Sequence, residues 1–214
     1  MAIDVKICGI SDAAHAHAAA MHGATWLGFV FFPPSPRNLS LEAARKLAQQ
    51  LPVGPKRVGV FVDAPDDLLS GAVEALSLDA VQLHGHETPE DAARIKKLLG
   101  VKIIKAIAVS AQKDIAKADP FLTHVDRILF DAKSPEGSAL PGGNAVSFPW
   151  EILGGRELPY KWMLAGGLTA DTLADAVAAS GATALDVSSG VESAPGKKSS
   201  ASIQHFLRTA KAIK

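Results

Sequence analysis

The chain has 214 residues, 48 % of them hydrophobic and only 6 % aromatic, with 22 basic residues balancing 22 acidic ones. That length suits one large domain, residues 1–214, with a well-filled core. Zero formal net charge offers no basic surplus for nucleic acid or an anionic membrane.

Strand-like and helix-like stretches alternate along the whole chain. A strand at 5–10 is followed by a helix at 12–22, then strand 26–32 and helix 41–51, strand 57–62 and helix 65–76, strand 80–84 and helix 89–99, strand 102–109 and helix 112–118. Strand 127–132 comes next, then strand 161–165 with helix 170–180, and strand 184–188 with helix 202–213. The strands are short and β-branched with little polar alternation, as in a parallel sheet covered on both faces. Asp12, Ser40, Pro65, Thr88 and Thr169 supply helix starts, and Gly23, Gly100 and Gly181 lie just past helix ends. The stretch 134–149, rich in Gly, Pro and Ser, reads as a long loop with at most a short helix after it.

About eight strand–helix repeats in this length predict a single (β/α)₈ barrel of the TIM type. The rival is a doubly wound open sheet, which usually carries a Gly-rich turn after its first strand. Here that turn is Cys8-Gly9-Ile10-Ser11, without G-x-G-x-x-G, and the glycines come late.

Cys8 is the only cysteine, so neither an internal disulfide nor a structural zinc site is expected, which fits a cytosolic (cytoplasmic) protein. No signal peptide and no membrane span are expected. A lone cysteine is either a small buried apolar residue or a site residue. Its place at a strand exit, where α/β proteins bind ligands, favours the second reading. Asp131 closes the sixth strand, and a carboxylate there is suited to general acid work; a helix cap or surface ion pair is the alternative. Arg37 follows Pro33-Pro34-Ser35-Pro36, and a guanidinium on a stiff loop is suited to hold a carboxylate, whereas a solvated arginine is the plainer reading. His84, His86 and Glu87 invite a metal, yet no separate cluster supplies a further ligand, so His84 is read as a polar wall of the site. Gly166 and Gly167 after the seventh strand, and Ser188, Ser189 and Gly190 after the eighth, occupy the usual phosphate position of such barrels. Two ordinary glycine turns are the alternative.

Taken together, Lys6-Ile7-Cys8-Gly9-Ile10, Phe32-Pro33-Pro34-Ser35-Pro36-Arg37, Val81-Gln82-Leu83-His84-Gly85, Leu129-Phe130-Asp131, Leu164-Ala165-Gly166-Gly167-Leu168 and Asp186-Val187-Ser188-Ser189-Gly190-Val191-Glu192 resemble the phosphoribosylanthranilate isomerase family. The matches run from first strand to last. The resemblance implies a cofactor-free (β/α)₈ barrel of tryptophan biosynthesis. It also implies an Amadori rearrangement of N-(5-phosphoribosyl)anthranilate to 1-(2-carboxyphenylamino)-1-deoxyribulose 5-phosphate. It makes Cys8 the general base and Asp131 the general acid, and puts Arg37 on the anthranilate carboxylate. Gly166, Gly167, Ser188, Ser189 and Gly190 are implied to hold the phosphate, with His84 and Asp186 lining the site and no metal bound. One departure stands in Gly142-Gly143-Asn144-Ala145-Val146-Ser147-Phe148-Pro149-Trp150, where the Thr-Gly and the Asp of the family pattern are missing.

A dual-substrate or histidine-pathway sugar isomerase is the nearest alternative, against which Cys8 speaks because an aspartate is expected at that position. A non-catalytic phosphate-ligand-binding barrel would keep the late glycines without needing both Cys8 and Asp131. The sequence leaves monomer and homodimer open.

Overall fold

Eight short apolar runs become eight parallel strands: β1 (Asp4–Cys8), β2 (Trp26–Phe31), β3 (Lys56–Phe61), β4 (Ala80–Leu83), β5 (Lys102–Val109), β6 (Arg127–Ala132), β7 (Trp162–Leu164) and β8 (Ala184–Val187). They pair in chain order, and β1 joins β8 to close the barrel. The computed structural model describes residues 3–134, 137, 142, 147–155 and 158–213. Most of the loop expected at 134–149, with residues 143–146 of the departing pattern, lies outside the described residues.

The outer layer follows from helix-capping chemistry. Asp12 accepts the His15 N–H at the start of α1 (Ala13–Met21), and Ser40 accepts the Ala43 N–H at the start of α2 (Leu41–Ala48). Next comes α3 (Asp66–Leu76). A reciprocal capping box between Thr88 and Asp91 opens α4 (Pro89–Leu99), and Gly100 ends it in the left-handed region. The last two helices are α5 (Leu173–Ser180) and α6 (Ser200–Ala212). The α-helix expected at 112–118 is instead a 3₁₀ helix, Gln112–Phe121. Asp114 there takes the N–H groups of Ser110 and Ala111, and Pro120 has no N–H to continue an α-helical ladder. A second 3₁₀ turn spans Trp150–Ile152. One element was not expected: between β8 and α6 the chain folds into an antiparallel hairpin of β9 (Glu192–Ala194) and β10 (Lys197–Lys198).

Strand alternation divides the interior in two. Outward residues such as Val5, Ile7, Phe29, Phe61, Val81 and Leu185 pack beneath the helices in the large core. Phe31 and Phe61 stack there with centroids 5.2 Å apart. Inward residues Val58, Ala80, Ile104, Leu129, Met163 and Ala184 fill the barrel with a separate apolar floor. Two residues further towards the carboxyl ends, the inward positions from Ala80, Leu129 and Ala184 turn polar, to Gln82, Asp131 and Asp186, while those from Val58, Ile104 and Met163 stay apolar, at Val60, Ala106 and Ala165.

Candidate active site

Lys6 on β1, Gln82 on β4 and Asp186 on β8 point inward above the floor, each fully or almost fully buried. The Lys6 ammonium donates to Gln82 Oε1 at 2.9 Å and to Asp186 Oδ1 at 3.1 Å. Burial alone pushes the Lys6 ammonium down, but Asp186 and Cys8 more than reverse this and its pKa lies above the ordinary lysine value. A buried charge of this kind persists only because it is paired. Cys8 stands two residues after Lys6, on the same inward face. Burial pushes its thiol up, Lys6 and Lys198 pull it down, Asp186 pushes it up again, and the net direction is up.

His84 follows β4, its N–H donating to Phe61 O at 2.8 Å. Its Nδ1 lies 2.9 Å from Gln82 Nε2, and its Nε2 3.3 Å from Asp131 Oδ2. Asp131 also accepts the Ala132 N–H through Oδ1 at 2.8 Å. The loop carrying His84 is pinned by Glu87, which accepts the N–H groups of Asp63 and Gly85 and pairs with Lys105 at 2.7 Å. The cluster of His84, His86 and Glu87 is therefore dispersed: His86 is 97 % exposed against Asp63, Glu87 belongs to the buried ion pair, and only His84 faces the cleft.

Arg37 is buried at the cleft wall, but its Nε and Nη2 are already taken by the Glu192 carboxylate at 2.7 and 2.8 Å. The side-on fork is turned to the protein, and the end-on edge, formed by Nη1 and the second N–H of Nη2, lies outside that ion pair. Glu192 also accepts from Lys198 at 2.7 Å. Burial pushes the Glu192 carboxyl up, but Arg37 and Lys198 outweigh it and hold the group below the usual range. Burial pulls the Lys198 ammonium down, and Glu192 only partly restores it. Lys198 further donates to Ser188 O at 2.9 Å, and the Ser188 hydroxyl donates to the Cys8 carbonyl at 3.2 Å. The unexpected hairpin thus ties Arg37, the turn after β8 and β1 together.

Gly166 and Gly167 take left-handed φ values of 90° and 65°, which side-chain-bearing residues rarely adopt. Gly190 is a glycine for another reason. A Cβ there would lie 1.9 Å from Leu168 O, so this position lets the turn after β8 pack on the turn after β7.

Nine of the ten residues expected from sequence line one open cleft of about 840 Å³ at the carboxyl ends of the strands: Cys8, Arg37, His84, Asp131, Gly166, Gly167, Asp186, Ser188 and Ser189. Gly190 supports it from behind. Sequence reasoning missed Lys6, Gln82, Glu192 and Lys198 as parts of the site. Their signal was a polar residue inside an apolar strand, two positions before a site residue, and for the hairpin a Pro195-Gly196 turn between opposite charges. Val30, Phe32, Val60 and Val62 add an apolar wall that sequence did not assign.

The closed barrel and this rim of thiol, carboxylates, histidine and glycine turns define an enzyme of the (β/α)₈ class. The family model described as N-(5′-phosphoribosyl)anthranilate (PRA) isomerase matches residues 5–209. The chain is 50 % identical over 211 residues to N-(5′-phosphoribosyl)anthranilate isomerase of Paramagnetospirillum magneticum, covering 99 % of this chain and 98 % of that one. The crystal structure of phosphoribosyl anthranilate isomerase from Thermotoga maritima superposes with a TM-score of 0.85 at 36 % identity, covering 98 % and 99 % of the two chains. A phosphoribosyl anthranilate isomerase solved in complex with reduced 1-(o-carboxyphenylamino)-1-deoxyribulose 5-phosphate gives 0.82 at 34 % identity with the same coverage. The chain belongs to the N-(5′-phosphoribosyl)anthranilate isomerase family. Among the described residues, no helix is long and apolar enough to cross a membrane.

Proposed function

We propose that this protein isomerises N-(5-phosphoribosyl)anthranilate to 1-(2-carboxyphenylamino)-1-deoxyribulose 5-phosphate, with Asp131 as general acid and Cys8 as general base. The observation that carries the assignment is that both groups line one cleft, from β6 and β1, at the mouth of a barrel with an apolar floor. Asp131 protonates the furanose ring oxygen, and the ring opens to an iminium ion. The positive nitrogen acidifies the sugar C2′–H, and the Cys8 thiolate removes that proton. The resulting enolamine tautomerises to the ketone. Protons and bonding electrons are only rearranged within the substrate, so the sequence calls for no electron acceptor.

The turns at Gly166, Gly167, Ser188 and Ser189 offer N–H and hydroxyl donors to the phosphate. Arg37 Nη1 meets the anthranilate carboxylate, with Glu192 holding the guanidinium in place. The ligand held by the related solved structure, a reduced form of this product, supports the same substrate class.

The test is conversion of freshly generated phosphoribosylanthranilate, followed by loss of its fluorescence. No turnover by folded protein overturns the assignment. Alkylation by iodoacetamide reports on the base, since Cys8 is the only cysteine. Because burial favours the protonated thiol, the alkylation rate is expected to rise with pH through a midpoint above the ordinary value of about 8.5. A midpoint at or below that value contradicts the environment described for Cys8.

A further inference from the structure

Hydrogen-bond polarity fixes one feature of this site that distances alone do not. A lysine ammonium is purely a donor. Lys6 is fully enclosed, with Nζ 2.9 Å from Gln82 and 3.1 Å from Asp186. The oxygen of the Gln82 amide must therefore face Lys6, which turns its NH₂ towards His84 Nδ1, 2.9 Å away. An amide NH₂ only donates, so Nδ1 must accept and carries no hydrogen. The ring then holds its proton on Nε2, which lies 3.3 Å from Asp131 Oδ2.

We infer that Lys6, acting through Gln82, fixes the His84 proton on Nε2, the ring edge that faces Asp131, which makes Lys6 and Gln82 positioning residues for the acid half of the reaction. The chain runs from Asp186 on β8 through Lys6 on β1 and Gln82 and His84 at β4 to Asp131 on β6, spanning the barrel. The inference rests on the reading of Asp131 as the acid. Once Asp131 has given its proton to the ring oxygen, the carboxylate left behind finds one hydrogen bond already made and a protonated ring edge beside it. The hydrogen bond is from the Ala132 N–H to Oδ1 at 2.8 Å, and the ring edge is His84 Nε2, 3.3 Å from Oδ2. Donors set in advance stabilise developing charge without reorganisation at the moment of reaction. The opposite tautomer would present a nitrogen lone pair to that carboxylate.

The tautomer is read directly from long-range ¹H–¹⁵N spectra of protein labelled at histidine, recorded without substrate. Loss of signals in His84→Asn identifies its ring among the seven histidines. In the unaltered protein, His84 is expected to show a protonated, pyrrole-like Nε2 and a bare, pyridine-like Nδ1. Gln82→Glu offers Nδ1 an oxygen in place of NH₂, and a proton is expected to appear on Nδ1. Lys6→Met frees the Gln82 amide to turn, and the two tautomers are expected to mix. If Lys6→Met alone fails to fold because Asp186 loses its partner, Lys6→Met/Asp186→Asn removes both charges and gives the same readout. A proton on Nδ1 in the unaltered protein, or an unchanged His84 spectrum in the folded variants, overturns the inference. In turnover, Gln82→Met is expected to lower kcat about tenfold, equivalent to about 1.4 kcal/mol, with KM moved less than about threefold. A change confined to KM contradicts a positioning role. Failure of the underlying acid assignment is separate, because it shows as full activity in Asp131→Asn.

Discussion

The barrel interior has a floor and a mouth built from the same strands and opposite in chemistry. On β4 the inward residues run Ala80, Gln82, His84; on β6 they run Leu129, Asp131; on β8, Ala184, Asp186. On these three strands a step of two residues moves from a dry apolar layer to polar groups, whereas from Val58, Ile104 and Met163 the same step reaches only Val60, Ala106 and Ala165. Nothing in the strand geometry changes between them, since successive inward positions differ only in height along the barrel. The floor contributes by excluding water and filling volume, so its side chains are interchangeable within limits of size. The mouth contributes by specific donors and acceptors, so its residues are not. Lys6 marks the border: it is fully buried, and its charge is tolerated because Asp186 and Gln82 receive it.

That contrast is sharpest on a single strand. Asp131→Asn and, on β1, Cys8→Ala are expected to lower kcat by about 10²- to 10⁴-fold, the range typical of general acid–base groups, with thermal stability close to that of the unaltered protein. Turnover by fluorescence and scanning calorimetry on the same samples check both halves. A Cys8→Ala protein within about threefold of normal kcat removes Cys8 from the mechanism, unless a step other than chemistry sets the rate. Leu129→Ala, two residues before Asp131 and fully buried in the floor, is expected to do the reverse. It should cost about 2–5 kcal/mol of unfolding free energy in urea, while the folded fraction keeps most of its kcat. Equal losses of activity and stability in both variants would mean that floor and mouth are one cooperative unit.

The sequence made the floor and the helical shell easy to read and the border hard. Strands announced themselves through β-branched apolar runs, and helix starts at Asp12, Ser40 and Thr88 were visible because capping is local chemistry. Cys8, Asp131 and the late glycines were legible because strand exits are where barrels carry chemistry. Lys6 and Gln82 were passed over because a single polar residue within an apolar run looks like an exception until the closed barrel shows that alternate positions face inward. The hairpin from Glu192 to Lys198 was missed because its worth lies in contacts with Arg37, 155 positions away in sequence, and with Ser188. Local patterns do not report such partners. The 3₁₀ helix at Gln112–Phe121 was misread as α because hydrophobic spacing over so short a window does not separate the two, whereas Pro120 and the Asp114 cap do.

A smaller effect than those of Cys8 and Asp131 is expected at Arg37, which stands at the mouth yet behaves partly like the floor. Its Nε–Nη2 edge is spent on Glu192, a protein group, which leaves the end-on Nη1–Nη2 edge to face substrate. A charge-assisted hydrogen bond contributes roughly 1.5–3 kcal/mol, so Arg37→Ala is expected to raise KM about ten- to a hundredfold if Nη1 meets the anthranilate carboxylate. Arg37→Lys restores the charge but not the planar fork, so it is expected to recover only part of the loss. Part of any effect would come from Glu192, which is buried and left with Lys198 as its remaining charged partner. A substrate analogue with aniline in place of anthranilate separates the two contributions, because it lacks the carboxylate but still needs a well-placed loop. The unaltered protein should handle that analogue poorly, and Arg37→Ala should add little further loss with it. If the substitution instead harms both substrates by the same factor, Arg37 serves the hairpin and the turn after β8 through Glu192, and it does not read the carboxylate.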